Sequence, residues 1–335
     1  FPTRRSSDLE LEKNEFQSGR LFICIIGLMA VSIACFVFEA IKVGFIPLFS
    51  DEPHAYSYFH VSGVHYFTIS CILIPAITIL YLKVSRHIGW KKIAALVLAN
   101  FTAVAVPFLC VSRFQLLFAV GFAVVTYIMV NKRIRLRTMV ILLVALVPVY
   151  IILTVFRHHD VTYLNSIFEM KYSKMPIFIT QPYMYVANNF ENFNCMVAQL
   201  TEHTYGLKML FPFFALTGLK FLYPQLVSFP IFLTKKELTT LTMFYDAYYD
   251  FGIVGVFIFA VIIGAVAKVL MSIVKKSQNP VSYLFYGQIA IYLGLAFFTT
   301  WFSNPTTWFW LILTGMMCWF VGYDKNKKRD EQKDE

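Results

Sequence analysis

The sequence predicts an all-α polytopic membrane protein with about eight transmembrane helices and one large extracytoplasmic helical loop. Three observations carry this. The 335 residues are 58% hydrophobic and 14% charged, where a soluble domain carries roughly 25% charged residues. Eight apolar runs approach or reach the roughly 20 residues a helix needs to cross the hydrocarbon core. The basic residues, finally, fall in alternate connections, as a positive-inside topology requires.

The elements follow in order. Residues 1–20 form a polar N-terminal segment. Its first nine, Phe1-Pro2-Thr3-Arg4-Arg5-Ser6-Ser7-Asp8-Leu9, resemble translated sequencing-adapter sequence, and no Met precedes them. The expectation is an artefactual start on an N-terminally truncated chain. A single integral membrane domain then occupies 21–322. Its apolar runs lie at 21–41, 64–83, 93–112, 114–131, 138–156, 251–274, 281–300 and 305–322. The third and fourth nearly touch at Ser112 and Arg113, so they form a tight helical hairpin. Residues 157–250 make the one long connection, crowded with Tyr, Phe, Asn and His. Within it, Leu207–Tyr223 is apolar enough to mimic a further span. Lys208, Pro212 and Lys220 argue instead for an interfacial or re-entrant helix. Residues 323–335 form a charged tail.

With the N-terminus inside, the inner segments hold 20 of the 29 Lys and Arg and nine of the 19 acids, a net of +11. Lys83, Arg86, Lys91 and Lys92 lie in one inner loop, Lys132, Arg133, Arg135 and Arg137 in the next, and five more bases in the tail. The rest of the chain sums to −1. The whole positive excess is thus a topology signal, placing both termini in the cytoplasm and the long loop outside, with no nucleic-acid partner implied. None of the six Cys residues forms a CxxC pair, so neither a zinc site nor a disulfide framework is indicated.

Absences narrow the chemistry. No inner loop exceeds about ten residues, and the chain has no P-loop, GxGxxG or GxSxG. A glycosyl or phosphoryl donor must then arrive through the membrane on a lipid. Few ionisable residues, mainly Glu39, Lys42 and Lys268, lie within the spans, which weakens a proton- or ion-coupled transporter.

Candidate site residues lie on the outer side. Six of the seven His, namely His54, His60, His65, His158, His159 and His203, are there. Each can serve as a general base near neutral pH or simply cap a helix. Arg113, in its two-residue turn, and Arg157, just after the fifth run, sit where Arg either anchors at the interface or binds an anion. Two guanidinium groups suit a pyrophosphate. Loop tyrosines, including Tyr185, Tyr205, Tyr245 and Tyr248, can stack on sugar faces, and Asn188, Asn189, Asn192 and Asn194 can bond sugar hydroxyls. The tyrosines equally suit a membrane-interface belt, which also explains Trp301, Trp308 and Trp310. Asp246 and Asp250 stand at i and i+4 on one helical face. They offer a paired acid site or an N-terminal cap, and capping suits Asp250 better.

Several segments together resemble one family. Gly44-Phe45-Ile46-Pro47-Leu48, Gly63-Val64-His65-Tyr66, Ser112-Arg113, Asn188-Asn189-Phe190-Glu191-Asn192, Tyr205-Gly206 and Tyr248-Tyr249-Asp250-Phe251-Gly252 with Gly255 are similar to the O-antigen and oligosaccharide repeat-unit polymerases, the Wzy-like proteins. The arginine-then-glycine signature of some members is not present, since neither Arg113 nor Arg157 has Gly eleven residues on. The resemblance implies a GT-C-like architecture and a cytoplasmic-membrane glycosyltransferase that joins undecaprenyl-pyrophosphate-linked repeat units at the outer face. It implies no cofactor and no metal, with membrane lipid, a flippase and a chain-length regulator as partners. On this expectation Arg113 and Arg157 hold the pyrophosphate. His203 is the first choice of general base, with His158 and Asp246 behind it. Tyr185, Asn189, Asn192, Tyr205, Tyr245 and Tyr248 contact substrate. A glycan ligase or a lipid-linked-sugar flippase is the alternative.

Overall fold

The computed structural model describes residues 11–50, 55–132, 135–156 and 160–322. Among them the chain is all-helical, and six helical stretches are long and apolar enough to cross a membrane. α1 (Glu15–Val43) starts where the Asn14 side chain accepts the Gln17 amide at 3.2 Å and stops at Gly44, whose φ of 86° ends the helix in the left-handed region. The short α2 (Ala55–Tyr58) follows. α3 (Val64–Thr68), a 3-10 turn and α4 (Ile74–Val84) run on as one crossing segment. Then come α5 (Trp90–Leu109), α6 (Arg113–Asn131) and α7 (Leu136–Val155).

Burial sorts these spans. The Val64–Val84 segment is 72% buried in its apolar window, whereas Leu136–Val155 and α12 (Tyr245–Lys276) are 12% and 11% buried. The first is the axis of the bundle. The last two present apolar faces outward, which is stable only against lipid. The chain is a multi-pass membrane protein.

The seventh expected span differs from expectation, whereas the eighth, 305–322, forms a helix at the expected bounds. α13 (Val281–Gly294) has 14 residues, about 21 Å of helix at 1.5 Å per residue, too short to cross unaided. The helix expected to continue to residue 300 stops at Gly294, and residues 295–304 turn back as an irregular segment before α14 (Pro305–Gly322). Trp301 and Trp310 are not lipid-facing belt residues. Each is 4% exposed, packed among Phe118, Phe122 and Tyr292.

The long loop is helical, as expected. It holds α8 (Val161–Ile167), α9 (Ile177–Gln199), α10 (Phe211–Leu216) and α11 (Leu219–Leu222). Leu207–Tyr223 therefore forms no span: its helices have six and four residues, parted at Gly218. α10 lies against α14, with Phe213 and Trp308 rings 5.1 Å apart.

Contacts define two ends. At one, Asn14 donates to Val84, Arg86 to Glu15, Gln17 to Gln278 and Asn279 to Cys318. Among the described residues, this end holds the basic connection at Lys83 and Arg86 and the Lys275–Lys276 end of α12. At the other lie the 110–112 turn, residues 295–304 and the long loop.

Candidate active site

The turn between α5 and α6 places Arg113. Pro107 lies in the last turn of α5, and Val111 takes φ of 51°, a left-handed conformation that is costly for a β-branched residue. Such strain persists where packing fixes it, and Val111 is buried with Leu116 and Leu153. Arg113 opens α6 at 3% exposure. Its Nη1 donates to Thr154 Oγ1 and Gln181 Oε1, both at 2.8 Å, and its guanidinium lies 5.2 Å from the Tyr150 ring centroid. Its partners are therefore neutral. Among the described residues no carboxylate pairs with it, and its Nε and Nη2 hydrogens have no protein acceptor.

Arg113 stands at the edge of a cavity of about 560 Å³ whose other walls are almost wholly apolar. Phe114, Phe118, Tyr185, Ile291, Phe297 and Phe298 supply much of that surface. Phe114 stacks on Phe298 at 4.0 Å, and Tyr185 meets Phe298 edge-on at 5.3 Å. One cation heads an apolar chamber. An anionic head group on a hydrocarbon tail matches both parts at once.

A second cavity, of about 360 Å³, is lined in part by the later residues of the same 294–305 segment. Gly294, Leu295, Phe297 and Phe298 line the first chamber, and Thr300, Ser303, Asn304 and Pro305 line the second. This segment therefore contributes to both cavities. It is fixed by hydrogen bonds from Met243 N to Ala296 O at 2.7 Å, Trp301 Nε1 to Leu295 O at 2.8 Å and Trp308 Nε1 to Phe302 O at 2.7 Å.

Asp246 and Lys208 both line the second cavity, beside Leu207, Phe211, Val227, Phe229, Ile231 and Leu241. Asp246 is 7% exposed, with the Ser303 and Thr300 hydroxyls beside it. The Lys208 ammonium sits 4.7 Å from the Tyr249 ring centroid. Burial pushes its pKa below the usual lysine value, while the charges of Asp246 and Asp250 oppose the shift. Asp250 has a different task from the one expected. Its carboxylate accepts the Lys208 amide at 3.1 Å, the Met209 amide at 2.9 Å and the Thr204 hydroxyl. It ties down the 204–209 turn instead of capping its own helix.

The remaining candidates divide. His203 is exposed and lines neither cavity. Its Nδ1 donates to the Tyr249 carbonyl at 3.1 Å, and its ring packs on Gly252. Tyr185 joins Arg113 in the first cavity. Tyr205 is 78% exposed, Tyr248 packs edge-on against Phe193 and His203, and neither lines either cavity. Arg157 and His158 lie outside the described residues.

Asn189, Asn192 and Tyr245 are buried and satisfied within the protein. Asn189 Nδ2 donates to Tyr185 O, Phe297 O and Phe298 O, and its Oδ1 accepts Thr240 Oγ1 at 2.6 Å. Asn192 donates to Leu238 O and Thr240 O and accepts both the amide and hydroxyl of Thr234. Tyr245 Oη accepts the Phe232 amide at 2.9 Å. These side chains staple residues 229–241 and the wall to α9 and α12, which leaves them no free groups for a sugar.

Sequence reasoning missed a further pair at this end. Glu39, fully buried, accepts the Val61 amide at 2.8 Å and faces His65 Nδ1 at 3.1 Å. The signal was an acid near the end of an apolar run with a His opening the next. Compared with protein-family models, curated proteins and solved structures, the chain matches none.

Proposed function

We propose that the protein is a membrane glycosyltransferase that polymerises undecaprenyl-pyrophosphate-linked oligosaccharide repeat units into surface polysaccharide. The observation that carries this is Arg113: a buried guanidinium, unpaired by any acid among the described residues, at the head of an apolar chamber. Holding an uncompensated cation there is costly unless a ligand supplies the anion. A polyprenyl pyrophosphate brings phosphate oxygens to the fork and an isoprenoid chain to the Phe-rich walls.

In the reaction an acceptor sugar hydroxyl attacks the anomeric carbon of the lipid-linked donor. The new C–O bond forms as the bond from that carbon to the pyrophosphate oxygen breaks. The electron pair goes to the departing phosphate, and the free Nε and Nη2 hydrogens of Arg113 stabilise the charge developing there. Arg157 is the proposed second cation. The products are an elongated glycan on one lipid and free undecaprenyl pyrophosphate.

The reading places the chain in a cytoplasmic membrane, with the basic end inside and both cavities outside. It completes an eight-helix, GT-C-like arrangement with α13 and α14 as the last pair, α13 being the shortened member. The wall of residues 295–304 takes the length α13 lacks. Flippase and chain-length regulator proteins are the proposed partners. The test is reconstitution with lipid-linked repeat units from the source cells, followed by sizing of products. Polymer ladders from the wild type that vanish in Arg113→Ala support the proposal. Ladders that persist in Arg113→Ala remove Arg113 from the mechanism, and transbilayer movement without ladders replaces the polymerase by a flippase.

A further inference from the structure

We infer that the 360 Å³ cavity at Asp246 is the acceptor subsite, taking the terminal non-reducing sugar of a lipid-linked unit, with Asp246 receiving the proton of the attacking hydroxyl. This rests on the polymerase reading and deepens it. Sugars are amphipathic, with a polar rim of hydroxyls and apolar C–H faces. The cavity offers both kinds of surface. Asp246, Lys208, Thr300, Ser303 and Asn304 present acceptors and donors, and Phe211 and Phe229 supply rings for a C–H face.

The two carboxylates of this segment are not equivalent, and that difference selects Asp246. Asp250 is fully engaged by two loop amides and a hydroxyl. Asp246 accepts from no backbone amide among the described residues and faces the cavity. A base must reach the proton it removes, which Asp246 can do from the cavity wall and His203 cannot. Lys208, also on that wall, balances the negative charge of Asp246 before the transfer and can orient the sugar.

Placement supplies the second argument. A two-substrate transferase needs its donor and acceptor held next to each other. Gly294, Leu295, Phe297 and Phe298 line the Arg113 chamber, and the residues that follow, Thr300, Ser303, Asn304 and Pro305, line the Asp246 cavity. The pyrophosphate site and the proposed sugar site are therefore neighbours along one short segment. On transfer the acceptor oxygen bonds to the anomeric carbon, its proton passes to Asp246, and the pyrophosphate leaves toward Arg113.

The experiment uses the full chain in nanodiscs and two binding probes, free repeat-unit oligosaccharide released from lipid by mild acid and undecaprenyl pyrophosphate. Asp246→Asn is expected to lower ladder formation by at least about 100-fold, the scale of general-base loss, and to leave undecaprenyl pyrophosphate binding within threefold. Asn304→Ala is expected to weaken oligosaccharide binding about tenfold, and Asp246→Glu to restore part of the ladder. Glu169→Gln, at an exposed loop carboxylate, controls for general damage. Ladders within threefold of wild type in Asp246→Asn overturn the assignment. So does an equal loss in His203→Gln, or oligosaccharide binding that is absent from wild type or abolished by Arg113→Ala alone. The polymerase reading fails separately, if wild type binds oligosaccharide and undecaprenyl pyrophosphate yet forms no ladder.

Discussion

Replacing Arg113 should weaken binding of undecaprenyl pyrophosphate in graded steps set by its geometry. Of the five N–H groups of a guanidinium, Nη1 already serves Thr154 and Gln181 at 2.8 Å. Among the described residues Nε and Nη2 have no acceptor, and they can make two parallel charge-assisted bonds to a phosphate. At about 1.5 kcal/mol each, the low end for hydrogen bonds to charged groups, their loss is about 3 kcal/mol, or roughly 100-fold in Kd. Arg113→Ala should show that loss. Arg113→Lys keeps the charge without the fork and should lose about tenfold. Gln181→Ala removes a neutral partner from α9 and should shift Kd by no more than about threefold. Titration of the lipid into protein in nanodiscs reads all three, with thermal melts confirming that each variant is folded. An Arg113→Ala protein that melts like wild type and binds within threefold of it would refute the assignment.

Other outcomes follow from the same contacts. Asn192→Ala strips four hydrogen bonds between α9 and residues 234–240 and should cost about 2–4 kcal/mol, since buried partners are left unsatisfied, seen as a lower melting temperature. Gly252→Ala should cost about 1–3 kcal/mol, because φ of 63° with ψ of −151° suits Gly alone and a Cβ would meet the His203 ring at 3.3 Å. Glu39→Ala leaves the Val61 amide and His65 without their acceptor and should lower the melting temperature more than His65→Ala does. Topology is read by labelling: a Cys at 169 should react with an impermeant maleimide in intact cells, and a Cys at 86 only after permeabilisation.

Much of the fold was legible because crossing helices are constrained by length and apolarity alone. α1, α5, α6 and α7 begin and end close to where the apolar runs do. Leu207–Tyr223 could be kept out of the spans because Lys208, Pro212 and Lys220 break it. The failure at 295–300 has a definite cause. That stretch is as apolar as a helix, but its carbonyls at Phe297 and Phe298 are taken by Asn189, more than 100 residues away. A side chain in one element licensed irregular backbone in another, and no local pattern reports that. The same holds for the site. Arg113 stood out because it is a lone cation between two apolar runs. The duties of Asn189, Asn192 and Asp250 did not, because amides and carboxylates that hold a loop look in sequence like those that hold a ligand.

The wall at residues 294–305 has a thermodynamic consequence. Phe298 packs against Phe114 and Tyr185, while five residues later Ser303 stands beside Asp246. A short, hydrogen-bonded stretch of backbone joins that ring to that hydroxyl. If filling one chamber changes affinity in its neighbour by some factor, the neighbour must return the same factor. On the proposed polymerase reading, release of spent lipid and arrival of the next sugar are a single coupled equilibrium.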